Sequence, residues 1–306
     1  MAQKSNRIPV ILDTDIGGDI DDTWALAMLL NSPELDVKLI TTATADTVYR
    51  ARICARILQR ARRTGIPIGI GPRFESDGPR ERQRDWVNGY ELSEYPGIIY
   101  ENGVQGIIDA IESSDEPVTL IAIGPATNIA ELLERRPAVA NRVNLVGMFG
   151  SIHRQHKGRS GAIAEFNVLQ DITACQKVFS APWKSVTITP LDTCGTVQLT
   201  GELYAQLLAS NDPLLADVLE NYRIWNRAVG SQFDAGRRSS ILYDTVAIHL
   251  AYSNRYLKMK EMGLRVSNDG YTVIDQSARP VNVAVDWLDY AGFCMELTNR
   301  LLGENK

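Results

Sequence analysis

Six short apolar runs rich in β-branched residues recur along the first two thirds of the chain: IPVIL (8–12), VKLITTAT (37–44), IPIGI (66–70), VTLIAI (118–123), VNLVGM (143–148) and VTITP (186–190). Strands covered on both faces lose the alternation of a half-exposed sheet and read as near-continuous apolar stretches. The runs therefore predict the buried strands of an open, mainly parallel sheet. Between them Asp22–Asn31, Thr47–Arg63, Gly103–Ser113, Thr127–Arg135 and Asp171–Ser180 carry helical patterns. Strand and helix in alternation predict an α/β fold with helices flanking the sheet. The last third changes style. Helical segments over Asp212–Gly230 and from about Asp244 precede LRVSNDGYTVID (264–275), whose Asn268-Asp269-Gly270 turn predicts a C-terminal hairpin and makes the sheet mixed. VNVAVDW (281–287) predicts a closing strand before a terminal helix. No repeat, low-complexity segment or linker rich in Pro, Gly or Ser divides the chain, so residues 1–306 are read as a single domain.

Composition narrows the function classes. With 306 residues, 44% of them hydrophobic, the chain can bury a sizeable core. A formal net charge of −5 and a pI near 5.4 remove the electrostatic footprint of a general nucleic-acid binder, leaving small molecules as the expected partners. No stretch reaches the roughly 18 consecutive apolar residues of a membrane span, and Met1–Pro9 (MAQKSNRIP) lacks the apolar core of a secretory signal. No membrane partner and a cytoplasmic location are expected. Cys54, Cys175, Cys194 and Cys294 are scattered without a CxxC pair, as small buried hydrophobes are, and not as a zinc site or disulfide framework is.

The chemistry concentrates in VILDTDIGGDIDDTWALAMLL (10–30), where Asp13, Asp15, Asp19, Asp21 and Asp22 fall between a buried strand and a nearly all-apolar helix. Crowded carboxylates raise one another's pKa unless a cation, backbone N–H groups or a helix N-terminus compensates. Oxygen-only ligands favour Ca²⁺ or Mg²⁺, and Gly17 and Gly18 allow the turn to fold back so that carboxylates from both sides converge. Open α/β sheets bind ligands beyond the carboxyl ends of their strands, which is where this turn lies. A solvated acidic loop that merely caps the helix does not account for Asp13 and Asp15 at the end of a buried strand. An EF-hand loop matches at Asp13, Asp15, Gly18 and Asp21, but Trp24 stands where the bidentate Glu is required and a strand precedes where a helix should.

A strand, an aspartate-rich glycine turn and an apolar helix resemble the opening of the inosine-uridine-preferring nucleoside hydrolases, whose signature is DxDxGxDD. Further matches follow in order: IGPATNIA (123–130), VGMFGS (146–151), AEFN (164–167), LDTCG (191–195) and ILYDTVAIHLAY (241–252). TNIA or EFN alone carries nothing, since Thr127 suits a helix N-cap and Asn167 a turn. The order and spacing over roughly residues 8 to 255 make the resemblance specific.

The resemblance implies a nucleoside-hydrolase-like fold and Ca²⁺-dependent hydrolysis of the N-glycosidic bond of a purine or pyrimidine ribonucleoside or a related N-ribosyl compound. It further implies one Ca²⁺ under a ribose pocket, liganded by Asp15, Asp22, Asp244 and the backbone carbonyl of Ile123. Asp15 is the implied general base. Asp21 accepts the 2′ hydroxyl, and Glu165 and Asn167 are further ribose contacts. Assembly as a homodimer or homotetramer is implied as well. The chemistry agrees with the residues: cleavage through an oxocarbenium-like state needs negative charge around the sugar and a water delivered to C1′.

Departures from the family pattern fall at functional places. The turn DIGGDIDD is two residues longer than the family's, so the pairing of Asp21 and Asp22 with the family's adjacent aspartates places the insertion around Gly18-Asp19 and leaves the role of Asp19 open. The family's frequent His-Asp pair before the late helix is Tyr243-Asp244, which keeps the carboxylate and loses the imidazole that protonates the departing base. The usual Gly-Asn after the second strand is Ala45-Asp46, and the usual ribose-contacting Asn is lost near Arg159. Tyr243 and His153 are therefore the catalytic candidates on the base side, with His156 as the other histidine of GSIHRQHKGR (150–159); the alternative for that loop is a solvated basic surface. Asp46 is a candidate substrate contact. Tyr222 and Trp225 are candidates for stacking on the base, or else core residues at i, i+3 spacing. RERQRDWVNGYELSEYPG (80–97) is read as a surface flap near the entrance, Asp192 as a carboxylate of structural or catalytic role, and His249 as a core residue. Two other readings stand beside the hydrolase: a non-catalytic, calcium-dependent ribose- or nucleotide-binding protein, and a haloacid-dehalogenase-type phosphatase, against which Gly17 replaces the Thr or Val expected after the Asp-x-Asp pair.

Overall fold

The computed structural model describes residues 7–73 and 81–304. Its strands are β1 (Ile8–Thr14), β2 (Leu35–Thr42), β3 (Ile68–Ile70), β4 (Ile99–Tyr100), β5 (Val118–Ala122), β6 (Val143–Met148), β7 (Ser185–Thr189), β8 (Leu257–Val266), β9 (Thr272–Ile274) and β10 (Pro280–Trp287). They form one ten-stranded sheet in the order β4-β3-β2-β1-β5-β6-β7-β10-β8-β9. From β4 to β10 every pairing is parallel; β8 runs antiparallel to β10, and β9 antiparallel to β8. The mixed α/β sheet with a late hairpin expected from the sequence is the fold observed.

The six apolar runs all contribute strands, because each is covered by helices on both sides. One face packs the helices Asp21–Leu30, Thr47–Arg60, Pro213–Ala228, Thr245–Leu250 and Tyr290–Leu302 around Trp24, Ile53, Tyr222 and Leu297. The other packs Gly103–Glu112, Thr127–Arg135 and Ile172–Ser180 around Ile11, Ile107, Leu120 and Val178. Each fully buried side chain of this size contributes roughly 1.5–3 kcal/mol relative to exposure. The helix Asp21–Leu30 is buried on every side, which is why its sequence shows no polar face.

Differences from expectation are local. The first long helix stops at Arg60, and Arg62 beyond it takes a left-handed φ of 55°. The second strand ends at Thr42, and Thr44 and Ala45 both adopt positive φ, turning the chain sharply into the helix Thr47–Arg60. The Asn268-Asp269-Gly270 turn closes the β8–β9 hairpin with Gly270 at φ 83°, as predicted. β10 does not lie beyond the hairpin; it inserts between β7 and β8. The helix Gly201–Ala209 was not foreseen.

This topology places the site. The chain runs outward from β1 through β2, β3 and β4, then returns to the other side of β1 and continues through β5, β6 and β7. Between β1 and β5 the winding reverses, and there the loops at the carboxyl ends diverge and leave a crevice.

Candidate active site

A cavity of about 270 Å³ opens at that crevice. Its floor is built by the turn after β1. Gly17, at φ +103°, reverses the chain under Tyr49 and Ile53; a Cβ there would lie 2.7 Å from each of those side chains. The reversal sets the N-terminus of the helix Asp21–Leu30 beside the end of β1, where Thr14 Oγ1 donates to Asp22. Asp244 arrives from the other side at the start of the helix Thr245–Leu250. Asp21, Asp22 and Asp244 thereby offer carboxylate oxygens within 4.8 Å of one another, all three buried. Desolvation first, and repulsion from a neighbouring carboxylate second (Asp19 on Asp21, Asp15 on Asp22, Asp21 on Asp244), push all three well above the usual carboxylate range. Such a group holds protons, or a cation takes their place.

Asp15 lines the same cavity. The β5 loop comes close because Gly124 lacks a side chain: a Cβ there would sit 2.8 Å from the Asp15 nitrogen. Its neighbour Ile123 also lines the cavity, and its carbonyl accepts from Asn167 Nδ2 at 3.2 Å. Asn167 donates equally to the carbonyl of Met148 at 3.1 Å, so one amide ties β5 to β6 at the cavity wall. Glu165 caps the short helix Phe166–Gln170 and accepts from the backbone nitrogens of Gly150, Asn167 and Val168; burial nevertheless pushes its carboxyl up to about 7. It faces the cavity and also holds the loop that carries Asn167.

Of the remaining sequence candidates, Tyr243 lines the cavity, and its hydroxyl lies 2.9 Å from His156 Nδ1 with the two rings edge-on. Asp19 lies at the exposed rim. Four candidates lie elsewhere. His153 is exposed outside the cavity, because its backbone nitrogen and that of Ile152 are bound by Asp192; His156, three residues on, is the histidine that enters. Asp192 itself thus anchors the loop. Asp46 caps the helix Thr47–Arg60 by accepting from Tyr49 N at 3.0 Å and does not line the cavity, since the left-handed pair Thr44-Ala45 directs it into the helix. Tyr222 and Trp225 are buried core residues: their i, i+3 spacing puts both on the inward face, where they stack, Tyr222 meets Trp24 edge-on, and its hydroxyl donates to the carbonyl of Arg238. His249 is a core residue as expected, packed among Tyr252, Tyr256 and Phe293. Of the entrance flap (80–97), Arg80 lies outside the described residues; Arg82 lines the cavity, and Gln83 is buried against Thr23 and Tyr49.

Two buried residues behind the site have places that the sequence did not assign: Arg50, which it passed over, and Asp13, which it left in the cluster without a role. Arg50, 1% exposed, donates through Nε to the carbonyl of Thr44 and through Nη1 to that of Ile16, both at 2.8 Å, and its Nη2 lies 3.8 Å from Asp15. Its signal was its position on the same helical stripe as Ile53 and Ile57, where an arginine needs a buried partner. Asp13 accepts from Thr41 Oγ1 and Asn128 Nδ2, both at 2.6 Å, and leaves its other oxygen without a hydrogen bond; burial pushes it up to about 7. It joins β1, β2 and the helix Thr127–Arg135 behind Asp15.

With this geometry in view, similarity to known proteins is informative. The family model for inosine-uridine preferring nucleoside hydrolases matches residues 10–294. The chain is 33% identical over 234 residues to the non-specific ribonucleoside hydrolase RihC of Klebsiella pneumoniae subsp. pneumoniae, covering 73% of this chain and 75% of that one. It is 31% identical to RihC of Shigella boydii serotype 18, covering 94% and 96%. Among solved structures, an inosine-guanosine nucleoside hydrolase superposes with a TM-score of 0.80 at 19% identity over 96% of this chain and 99% of that one, and a plant nucleoside hydrolase with 0.76 at 23% over 96% and 98%. At those identities the superpositions speak for the fold. The match of the family over nearly the whole length is what decides membership: the chain belongs to the inosine-uridine preferring nucleoside hydrolases and is an N-glycosyl hydrolase of ribonucleosides.

Proposed function

We propose that this protein hydrolyses purine and pyrimidine ribonucleosides in a calcium-dependent reaction, with the whole chain as one catalytic unit. The observation that carries the reading is the convergence of Asp21, Asp22 and Asp244, buried, at the floor of a cavity that Asp15 and Asn167 also line. Three carboxylates that burial and repulsion drive toward protonation suit a hard divalent cation, and no sulfur or imidazole enters the group. The residues that would hold it are Asp22 and Asp244, joined by Asp15 and the carbonyl of Ile123. When bound, calcium supplies compensation of charge and makes water a better acid.

The remaining steps belong to the chain's own residues. Asp21 accepts the ribose 2′ hydroxyl, while Asn167 and Glu165 hold the sugar from the opposite wall. The surrounding carboxylates stabilise the positive charge that grows on the sugar as the bond from C1′ to the base nitrogen breaks. Asp15 takes the proton of the water that adds to C1′, with Arg50 supplying its counter-charge from 3.8 Å. The four cysteines, all free and buried, support a cytoplasmic setting. No described helix is long and apolar enough to cross a membrane. Assembly as a homodimer or homotetramer completes the reading, and sedimentation equilibrium tests it.

The test of activity is release of reducing sugar from a panel of purine and pyrimidine ribonucleosides, in calcium and in chelator. Hydrolysis that chelator abolishes and calcium restores is expected. Binding of ribose without hydrolysis would make the protein a sugar-binding relative instead.

A further inference from the structure

We propose that His156, oriented by Tyr243, donates the proton to the departing base. The inference rests on the ribonucleoside-hydrolase reading above and assigns its unassigned half. A purine or pyrimidine leaves as an anion unless it is protonated, and the carboxylates of the floor serve the sugar and the water. Among the described residues that line the cavity, the groups other than carboxyls with an acidic N–H or O–H are His156, Tyr243 and Arg82, and the Glu165 carboxyl has both oxygens engaged by backbone nitrogens. Arginine does not release its proton in proteins. A tyrosine hydroxyl, with an ordinary pKa of about 10, is a poor acid at neutral pH beside an imidazolium.

His156 is presented by a built device. The segment after β6 folds into a small hairpin closed by a bridge between Arg154 and Ser160 and by a hydrogen bond from Gln155 N to the carbonyl of Arg159. At its tip Lys157 and Gly158 take φ of 60° and 68°, and Lys157 N donates to the carbonyl of Gly195 at 2.8 Å. The left-handed tip, fastened to the segment behind it, turns His156 into the cavity while His153 stays outside. Nδ1 is engaged with Tyr243 at 2.9 Å, which leaves Nε2 for the substrate.

The protonated imidazole donates through Nδ1 to the Tyr243 oxygen and through Nε2 to a ring nitrogen of the base. The bond from C1′ to the base breaks with its electron pair going to the base, which receives the Nε2 proton. Water forms the new bond to C1′ and gives its proton to Asp15. Tyr243 keeps its own proton throughout, so it is a positioning residue. The charged and titratable groups about His156 are Lys157 and Arg159 on its own hairpin, Tyr243 against its ring, and Arg82, Asp19, Glu165 and the floor aspartates in the shared cavity lining. Burial, then Arg159 and Lys157, hold the imidazole below its ordinary 6.5, which strengthens it as an acid and confines it to the acid side of neutrality.

The experiment compares wild type, His156→Gln and Tyr243→Phe on inosine, on uridine and on 4-nitrophenyl riboside, whose leaving group needs no proton. On the nucleosides His156→Gln is expected to lower kcat/KM by ~10²–10⁴-fold, and on the nitrophenyl riboside by only a few fold. Tyr243→Phe should cause a smaller loss with the same leaving-group dependence. With wild type, kcat/KM for nucleosides should fall as pH rises through a value below 6.5, and that limb should vanish with the nitrophenyl substrate. An equal loss on both substrate classes, or full nucleoside activity in His156→Gln, would overturn the assignment and leave the hydrolase reading intact. Failure of wild type to cleave any nucleoside would overturn both.

Discussion

Arg50 shows how one side chain carries the site. Its guanidinium holds the carbonyls of Ile16 and Thr44, so it fastens the turn after β1 to the turn after β2, and it stands beside Asp15. Arg50→Met removes the hydrogen bonds from a charged donor to these two carbonyls, each worth roughly 1.5–3 kcal/mol, and a longer one to Thr44 Oγ1. It should lower the urea midpoint and cut turnover at least tenfold, while Arg50→Lys, which keeps charge but loses the planar fork, should fall between. An unchanged midpoint in Arg50→Met would remove the fastening role. At this scale the sequence was partly legible. The aspartates declared themselves because five fall in ten residues where burial makes crowding costly. Tyr222 and Trp225 could not be assigned, because helical spacing tells which residues share a face and not what that face meets. His153 and His156 could not be separated either, since their difference lies in the left-handed backbone at Lys157.

At the scale of elements, the turn after β1 is the part that folding must get right. Gly17 combines positive φ with close contacts to Tyr49 and Ile53, so Gly17→Ala meets both a backbone and a steric obstacle. It should destabilise the protein by more than about 1 kcal/mol and weaken the thermal shift that calcium produces. A midpoint and a calcium shift equal to those of wild type would show that the turn relaxes freely. The strand cores were readable because burial on both faces writes itself into composition. β4, two residues long, left no pattern to read. The place of β10 between β7 and β8 is a pairing between distant segments, on which local sequence is silent.

Across the whole molecule, the buried carboxylates tie stability to pH and metal. Asp13 and Glu165 are pushed up to about 7, and Asp21, Asp22 and Asp244 are raised as well. A carboxyl whose pKa is raised by folding binds more protons folded than unfolded. Its contribution is present below the unfolded value near 3.9 and is lost as pH rises through the folded one. In chelator, therefore, the melting temperature should fall as pH is raised from about 4 to above 7. Calcium binds the ionised form, so its stabilisation should grow over the same window. A melting temperature in chelator that rises across this range would contradict the burial of these groups. Strand–helix alternation implies a parallel sheet, but only the assembled sheet shows that its winding reverses between β1 and β5 and that the aspartate turn, the β5 loop and Asp244 meet there.

If this carboxylate floor turns over ribonucleosides with Asp15 as the proton acceptor, Asp15→Asn is the decisive variant. The comparison is reducing-sugar release by wild type and variant at saturating calcium, beside binding of ribose measured calorimetrically. Turnover is expected to fall by orders of magnitude while ribose binding survives in part. Turnover within a few fold of wild type would contradict that role of Asp15.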